Sequence, residues 1–536
     1  MRARNVTAIS LGTVLLLSLA AGMAAPPAKA ATHSSASAAN PDSARNSPRP
    51  RTIVTADPEL DDANSLIRYL LYSNEVTTEG LVYASSRFHW KGDGKGTEFF
   101  LPGREYTTPQ TSWRWAPDER FIHKAVDAYA EVYPNLVRHD RDYPDPRGLY
   151  SKIRVGNVEF EGDLSKETPG SNLIKDVLLD DKGGPVYLQA WGGTSTIARA
   201  LKSIQEQYEG TPRWERIRRE VSRKAIITKF ASQDATYQDY IVPNWPDIEA
   251  RDVATTIWGY FARRTVLPEH TGYLSAQWTA ENVSAKGPFG ELYRVWGDGK
   301  QMVAGDVWDH FGLSYLGEDE LRARGYKIWM PIQEKGSWIS EGDTSNFMNL
   351  VDNGLRGYEQ AGYGGWGGRQ EQNPDDPSEW LASKAVDHDP QGNAPADYAA
   401  ARWFEAAQLD FAARLRWSVT PHFRDANHRP EVTLPAGRRD ITARPGQEVR
   451  LSARATDPDG DGLGSRWWQY REAGRYQGAV EITTAGDAVT GRHSSRASFT
   501  VPADARPGST IHIIVEVKDD GSPALTAYQR VIVTVR

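Results

Sequence analysis

The chain has 536 residues, of which 39% are hydrophobic and 25% charged, with a formal net charge of −7 and no cysteine. That length asks for two domains of ordinary globular composition. The acidic balance argues against a nucleic-acid partner held through its phosphates. The missing thiols exclude disulfides, thiolate metal sites and a cysteine nucleophile.

The chain opens as a secretory leader. Arg2 and Arg4 form a basic start, Ala8 to Ala25 is largely apolar, and Ala28-Lys29-Ala30 is an A-x-A cleavage site, so residues 1–30 are expected to be removed on export. A membrane anchor is the alternative, but the strongly apolar part is short and broken by Ser and Gly. The protein is expected outside the cell, with no membrane association after cleavage. Residues 31–50, rich in Ser, Ala, Asn and Pro, read as a disordered linker.

From Arg51 strand-like and helix-like segments alternate. Thr52-Ile53-Val54 runs into a turn, Asp57-Pro58-Glu59, and a helix starts at Asp61-Asp62 with Leu66, Ile67, Leu70 and Leu71 on one face. Further strands are expected at Glu79–Ala84, Pro185–Ala190, Lys224–Thr228 and, more weakly, Tyr326–Met330, with helices at Asp118–Tyr133 and Ala396–Trp417. This alternation predicts an α/β domain over residues 51–425, a mostly parallel sheet flanked by helices. Pro421 to Pro430 marks a boundary. Short alternating strands separated by Asp, Gly and Pro turns then predict a small immunoglobulin-like β-sandwich over residues 430–536.

The first strand, turn and helix put Asp57, Asp61 and Asp62 close together at the place where open α/β sheets hold ligands. Carboxylates this close repel unless a cation or donors offset them, and hard oxygen ligands on a turn suit Ca²⁺. Alternatively, Asp61 caps the helix, while Glu59 and Asp62 sit at the positive end of its dipole. That reading leaves Asp57 unexplained.

The stretch Thr55-Ala56-Asp57-Pro58-Glu59-Leu60-Asp61-Asp62 resembles the D-x-D-P-x-x-D-D opening of nucleoside hydrolases, with Thr55 in place of the first aspartate. More narrowly, the chain resembles secreted cellulose-binding proteins that join a nucleoside-hydrolase-like domain to an all-β C-terminal domain. The resemblance implies a calcium site made of Asp57, Asp62, Asp343 and a backbone carbonyl from Thr194 or Ser195. It implies Asp57 and Asp61 as catalytic residues, and Asp61, Arg87, His89 and Asn244 as the grip on a sugar. Each has a plainer reading: Ser195, Thr196 and Asp343 suit helix N-caps, and Asn244 before Trp245-Pro246 suits a turn. In the family a histidine that protonates the leaving base often precedes the late aspartate; here that residue is Gly342.

The expected activity is therefore an exported, Ca²⁺-dependent hydrolase of N-glycosyl (nucleoside-like) bonds or of a related glycoside. Its substrate would be a small molecule or a plant oligosaccharide. The rival is a non-catalytic carbohydrate-binding protein that keeps the metal-held sugar site. In the second domain, Asp457-Pro458-Asp459-Gly460-Asp461-Gly462 and Asp519-Asp520-Gly521 read as acidic turns, with calcium at the sandwich edge as the alternative. Oligomeric state is not legible.

Overall fold

A computed structural model describes residues 49–489 and 492–536; the expected leader and nearly all of the linker lie outside the described residues. Strands β1 (Arg51–Ala56), β2 (Thr77–Tyr83), β3 (Ile153–Val155), β4 (Val186–Ala190), β5 (Ala225–Lys229), β6 (Glu249–Asp252), β7 (Glu371–Gln372) and β8 (Glu379–Leu381) form one sheet in the order β3-β2-β1-β4-β5-β6-β8-β7. Only the β7–β8 pair is antiparallel. Helices α1 (Leu60–Leu71), α2 (Phe121–His139), α3 (Pro146–Tyr150), α4 (Pro169–Leu179), α5 (Ser195–Tyr208) and α6 (Trp214–Lys224) fill the crossovers.

The central strands are buried on both faces, as parallel strands under helices must be. Their side chains alternate between two cores. Val54, Leu81 and Tyr187 enter one, with Leu66, Ile67, Leu70 and Leu71 of α1; Ile53, Val82 and Leu188 enter the other, with Ile197, Ala200 and Leu201 of α5. Chain order reverses at β1. The connection after β1 leads to β2 on one side, and β4 pairs on the other. The crevice at the carboxyl ends of β1 and β4 is thus the topological switch point of the sheet.

The element boundaries shift modestly from expectation. The helix foreseen at Asp118–Tyr133 is α2, which continues through Pro134 to His139. Ala396–Trp417 divides into Tyr398–Ala401 and Phe404–Ser418. Tyr326–Met330 is not a strand: Trp329 donates its Nε1–H to Trp308 O at 3.0 Å and Met330 packs with Trp296, Phe311 and Ile339, so the segment serves a satellite core instead of a sheet edge.

The C-terminal region holds two four-stranded sheets, β10-β16-β15-β12 and β13-β14-β11-β9, from β9 (Glu431–Thr433), β10 (Asp440–Ala443), β11 (Glu448–Thr456), β12 (Leu463–Gln469), β13 (Thr483–Val489), β14 (Arg492–Thr500), β15 (Thr510–Asp519) and β16 (Thr526–Val535). Val449, Leu451 and Phe499 from one sheet meet Ile513, Val515 and Val533 from the other in a single core, so the region is a sandwich. The outer face of the β10-β16-β15-β12 sheet is largely covered, whereas that of the other sheet is exposed. Tyr470, Ile514 and Tyr528 join the core of the α/β region beside Trp403 and Phe404. The backbone amides of Tyr528 and Arg530 donate to Asn353 O and Gly354 O at 2.9 and 3.1 Å.

Candidate functional site

β1 ends at Ala56, and the next residue, Asp57, stands in the switch-point crevice with no exposed surface. Its backbone N–H donates to Asp62 Oδ1 at 3.1 Å. Its Oδ2 accepts from Ser86 Oγ, three residues past the end of β2. Its Oδ1 is buried without a hydrogen-bond partner. Glu59 occupies the N-cap position of α1 without making a side-chain cap bond. Asp61 does not cap the helix either: its carboxylate accepts from Tyr260 OH at 3.2 Å and from Ser340 Oγ at 3.3 Å. The cap bond is therefore absent, although Glu59 holds the N-cap position and Asp61 and Asp62 lie in the first turn of α1, and these acids converge on one another.

Asp343 enters the same cluster from a chain segment almost three hundred residues away. It is 2% exposed, and its Oδ1 lacks a partner. Its loop is anchored two residues earlier. Glu341 pairs with Arg68 of α1, both side chains having no solvent exposure, and also accepts from Thr344 Oγ1 at 3.1 Å. The Arg68 guanidinium further donates to Ala407 O at 3.3 Å. One buried ion pair thus joins α1, the Asp343 loop and the helix Phe404–Ser418.

The electrostatics follow from burial. Desolvation lifts Asp57 to about 7 and Asp61 to about 6, with the charge of Asp61 adding to the rise at Asp57. Asp62 and Asp343 are pushed well above the carboxylate range, by burial first and then by neighbouring acids. Glu59 rises for the same reasons, offset in part by Arg114.

His89 completes the cluster. Ligand atoms of Asp57, Glu59 and His89 lie within 4.8 Å of one another, as do those of Glu59, Asp61 and Asp62. His89 Nδ1 meets the carbonyl of Arg114 at 2.7 Å, so Nδ1 carries the hydrogen and Nε2, which has no partner, presents a bare lone pair. Burial and the Arg114 charge hold this imidazole well below its ordinary pKa, so it stays neutral.

The remaining expected residues are placed less centrally. Thr194 and Ser195 turn to Asp234: Thr194 Oγ1 donates to its Oδ1 at 3.1 Å and Ser195 N to its Oδ2 at 2.9 Å, while the Thr194 carbonyl accepts from Ala198 N in the first turn of α5. In that loop the residue against the cluster is Gly192, where a Cβ would stand 2.9 Å from Asp57 Oδ1. Arg87 lies at the rim, bonded to Gly103 O at 3.1 Å. Asn244 donates to Tyr240 O at 2.8 Å and lies five residues before β6 begins, on the amino-end side of that strand, whereas the carboxylates stand past the carboxyl end of β1. Thr55, where the resemblance has its first aspartate, donates to Gln189 O at 3.0 Å inside the sheet. At Gly342 a Cβ would come 2.5 Å from Asp61 Oδ2 and 3.4 Å from the Phe230 ring. The space a histidine would need is taken.

Glu59, Ser86, Tyr260 and Ser340 adjoin the cluster although sequence reasoning gave none of them a part in a ligand site. Glu59 stood in the motif itself. Tyr260 and Ser340 come from a long excursion between β6 and β7 and carried no local signal.

A family model described as cellulose-binding Sde182, nucleoside hydrolase-like domain, matches residues 51–370. The chain belongs to this family. A second model, the C-terminal domain of cellulose-binding protein Sde0182, matches residues 448–535. Among solved structures, the chain is similar to a nucleoside hydrolase-related hypothetical protein from Saccharophagus degradans that is associated with carbohydrate metabolism. The two are 22% identical with a TM-score of 0.63, covering 91% of this chain and 100% of that one. That likeness supports the nucleoside-hydrolase-like fold. The sialic acid binding region of a Streptococcus sanguinis SK1 adhesin matches 20% of this chain and 30% of its own at 18% identity, with a TM-score of only 0.17. No curated protein matches.

Proposed function

We propose that the protein is an exported hydrolase of N-glycosyl or related glycosidic bonds whose activity depends on calcium. The observation that carries this reading is the sealed cluster at the switch point. Carboxylate oxygens of Asp57 and Asp343 are buried with no donor, among acids that burial and mutual repulsion make hard to ionise. Such a set fits a hard divalent cation, which satisfies orphaned oxygens and offsets their charge. Asp57, Asp62 and Asp343 would hold it, with Glu59 at the edge. When bound, calcium supplies Lewis-acid activation of a water and of sugar hydroxyls.

The chain's own residues do the rest. Asp57 accepts the proton of the attacking water. Asp61, fixed by Tyr260 and Ser340, accepts a hydrogen bond from a sugar hydroxyl. His89 Nε2, lacking a hydrogen, orients a second hydroxyl. Negative charge massed on one side of the anomeric carbon stabilises an oxocarbenium-like transition state. Exported placement is supported by the leader-like start; among the described residues no helix is long and apolar enough to cross a membrane.

One observation favours the second reading, a non-catalytic cellulose-binding protein. Gly342 provides no acid for the leaving group, and neutral His89 faces the cluster as an acceptor. General-acid help contributes about 10²- to 10⁴-fold in rate. A nitrophenyl riboside, whose leaving group needs no acid, should therefore exceed inosine in kcat/KM by a factor of that order, measured with excess Ca²⁺. Comparable values would mean that an acid is present and that the site is misread. Turnover of neither substrate, together with thermal protection by cellooligosaccharides, would establish the binding reading.

A further inference from the structure

The acidic turn between β11 and β12 is more than a turn. Carboxylate oxygens of Asp457, Asp459 and Asp461 lie within 4.8 Å of one another. Asp457 Oδ1 accepts from the amides of Asp459 and Asp461 at 2.9 and 3.0 Å, which leaves its Oδ2 buried with no partner.

Asp519, at the end of β15, lies beside this group and not within its 4.8 Å cluster. Asp519 pairs with Leu463 at the foot of the turn and is 4% exposed. Its Oδ1 accepts from Asn427 Nδ2, Gly521 N and Leu525 N at 3.1, 3.0 and 2.8 Å, whereas its Oδ2 is sealed from solvent with no donor. Gly521 sits between the two acidic groups: a Cβ there would be 2.4 Å from Asp461 Oδ2 and 2.3 Å from Asn427 Nδ2. Burial raises Asp519 to about 6, and the charge of Asp457 adds to the rise. Asp461 is raised by burial and then by Asp457, Asp459 and Asp520.

No Lys or Arg among the described residues forms an ion pair with Asp457, Asp459, Asp461 or Asp519. The neighbouring His428 stands 3.1 Å from Asp459, and burial pushes this imidazole down to about 4. Leaving a buried acceptor unmade is costly, and oxygen-only donors on a flexible loop match calcium.

We propose that Asp457, Asp459, Asp461 and Asp519 form a calcium site that locks the connecting segment between the two regions. His428 N donates to Asp459 Oδ2 at 2.7 Å, and His428 Nε2 meets His139 Nδ1 of α2 at 2.9 Å. Asn427 is held by Asp519. Both residues of the segment that touch the site therefore depend on charges that the cation would organise.

The test is calcium stoichiometry of the full chain by equilibrium dialysis, with limited proteolysis across residues 419–430. Asp461→Asn and Asp519→Asn should each bind one Ca²⁺ fewer than the parent and lose calcium protection of that segment, whether or not the Asp57 cluster binds. Asp62→Ala should keep the protection. Unchanged stoichiometry in both turn variants, or protection that ignores calcium, would overturn the proposal.

Discussion

The two acidic clusters assemble in opposite ways. At the switch point, Asp57, Asp61 and Asp62 are local in sequence, but their environment is built from afar: Asp343, His89, Tyr260 and Glu341, the partner of Arg68 on α1, come from separate loops. In the sandwich, three of four acids lie in one pentapeptide, and Asp459 remains exposed. The difference teaches that a motif places charges, while burial decides what those charges can do. The first cluster sits in a frame made rigid before any ligand arrives. The second would owe part of its order to the ligand.

The comparison breaks most strongly at Glu341. Removing it strands a fully buried Arg68, and breaking such a pair costs about 3–5 kcal/mol. Glu341→Ala should show that loss in denaturant unfolding, together with loss of the Asp343 site. The sandwich cluster has no equivalent.

Asp62→Ala comes next. At calcium a hundredfold above Kd, binding to the folded state adds about 2.7 kcal/mol. That increment, read by thermal unfolding with and without calcium, should vanish for this site in the variant and persist for the turn site.

The third contrast is with pH. Asp57 and Asp61 have folded pKa values raised to about 7 and about 6, from an ordinary 3.8. Folding therefore favours their neutral forms. In chelator the stability they contribute is complete below about pH 4 and is lost as pH rises through 6 to 7, at roughly 1.4 kcal/mol per unit for each group. Calcium binds the ionised forms, so its stabilising effect should grow over the same window. A metal-free protein whose stability is flat between pH 4 and 7 would contradict this.

The smallest effect sharpens the contrast. Half-exposed Asp461 should tolerate Asn in chelator with a change below about 0.5 kcal/mol, read as a melting shift near the detection limit.

Much of this was legible in the sequence, and the exceptions have physical causes. β1, β4 and β5 are short apolar runs before polar turns, which is how strands buried on both faces read. Asp57, Asp61 and Asp62 follow from that placement, and Asp343 from the family resemblance. Tyr326–Met330 has strand-like composition, but its apolar residues are consumed by packing around Phe311, a tertiary fact. Asn244, assigned to the sugar grip, lies instead ahead of β6, because nothing local tells at which end of a strand a turn residue falls. Tyr260 reaches Asp61 across 199 positions, a distance at which periodicity carries no information.

The amides of Tyr528 and Arg530 that extend hydrogen bonding from the sandwich onto Asn353 and Gly354 have a consequence for avidity. A glycan-binding module on a flexible tether samples a volume set by tether length, and its gain from tethering falls as that volume grows. Here the second region is fastened by backbone bonds and a shared core, so there is no such volume to sample. Any chain-like ligand touching both regions would meet them at one fixed spacing. It would be selected by its length and stiffness, as a ruler selects, rather than captured by proximity.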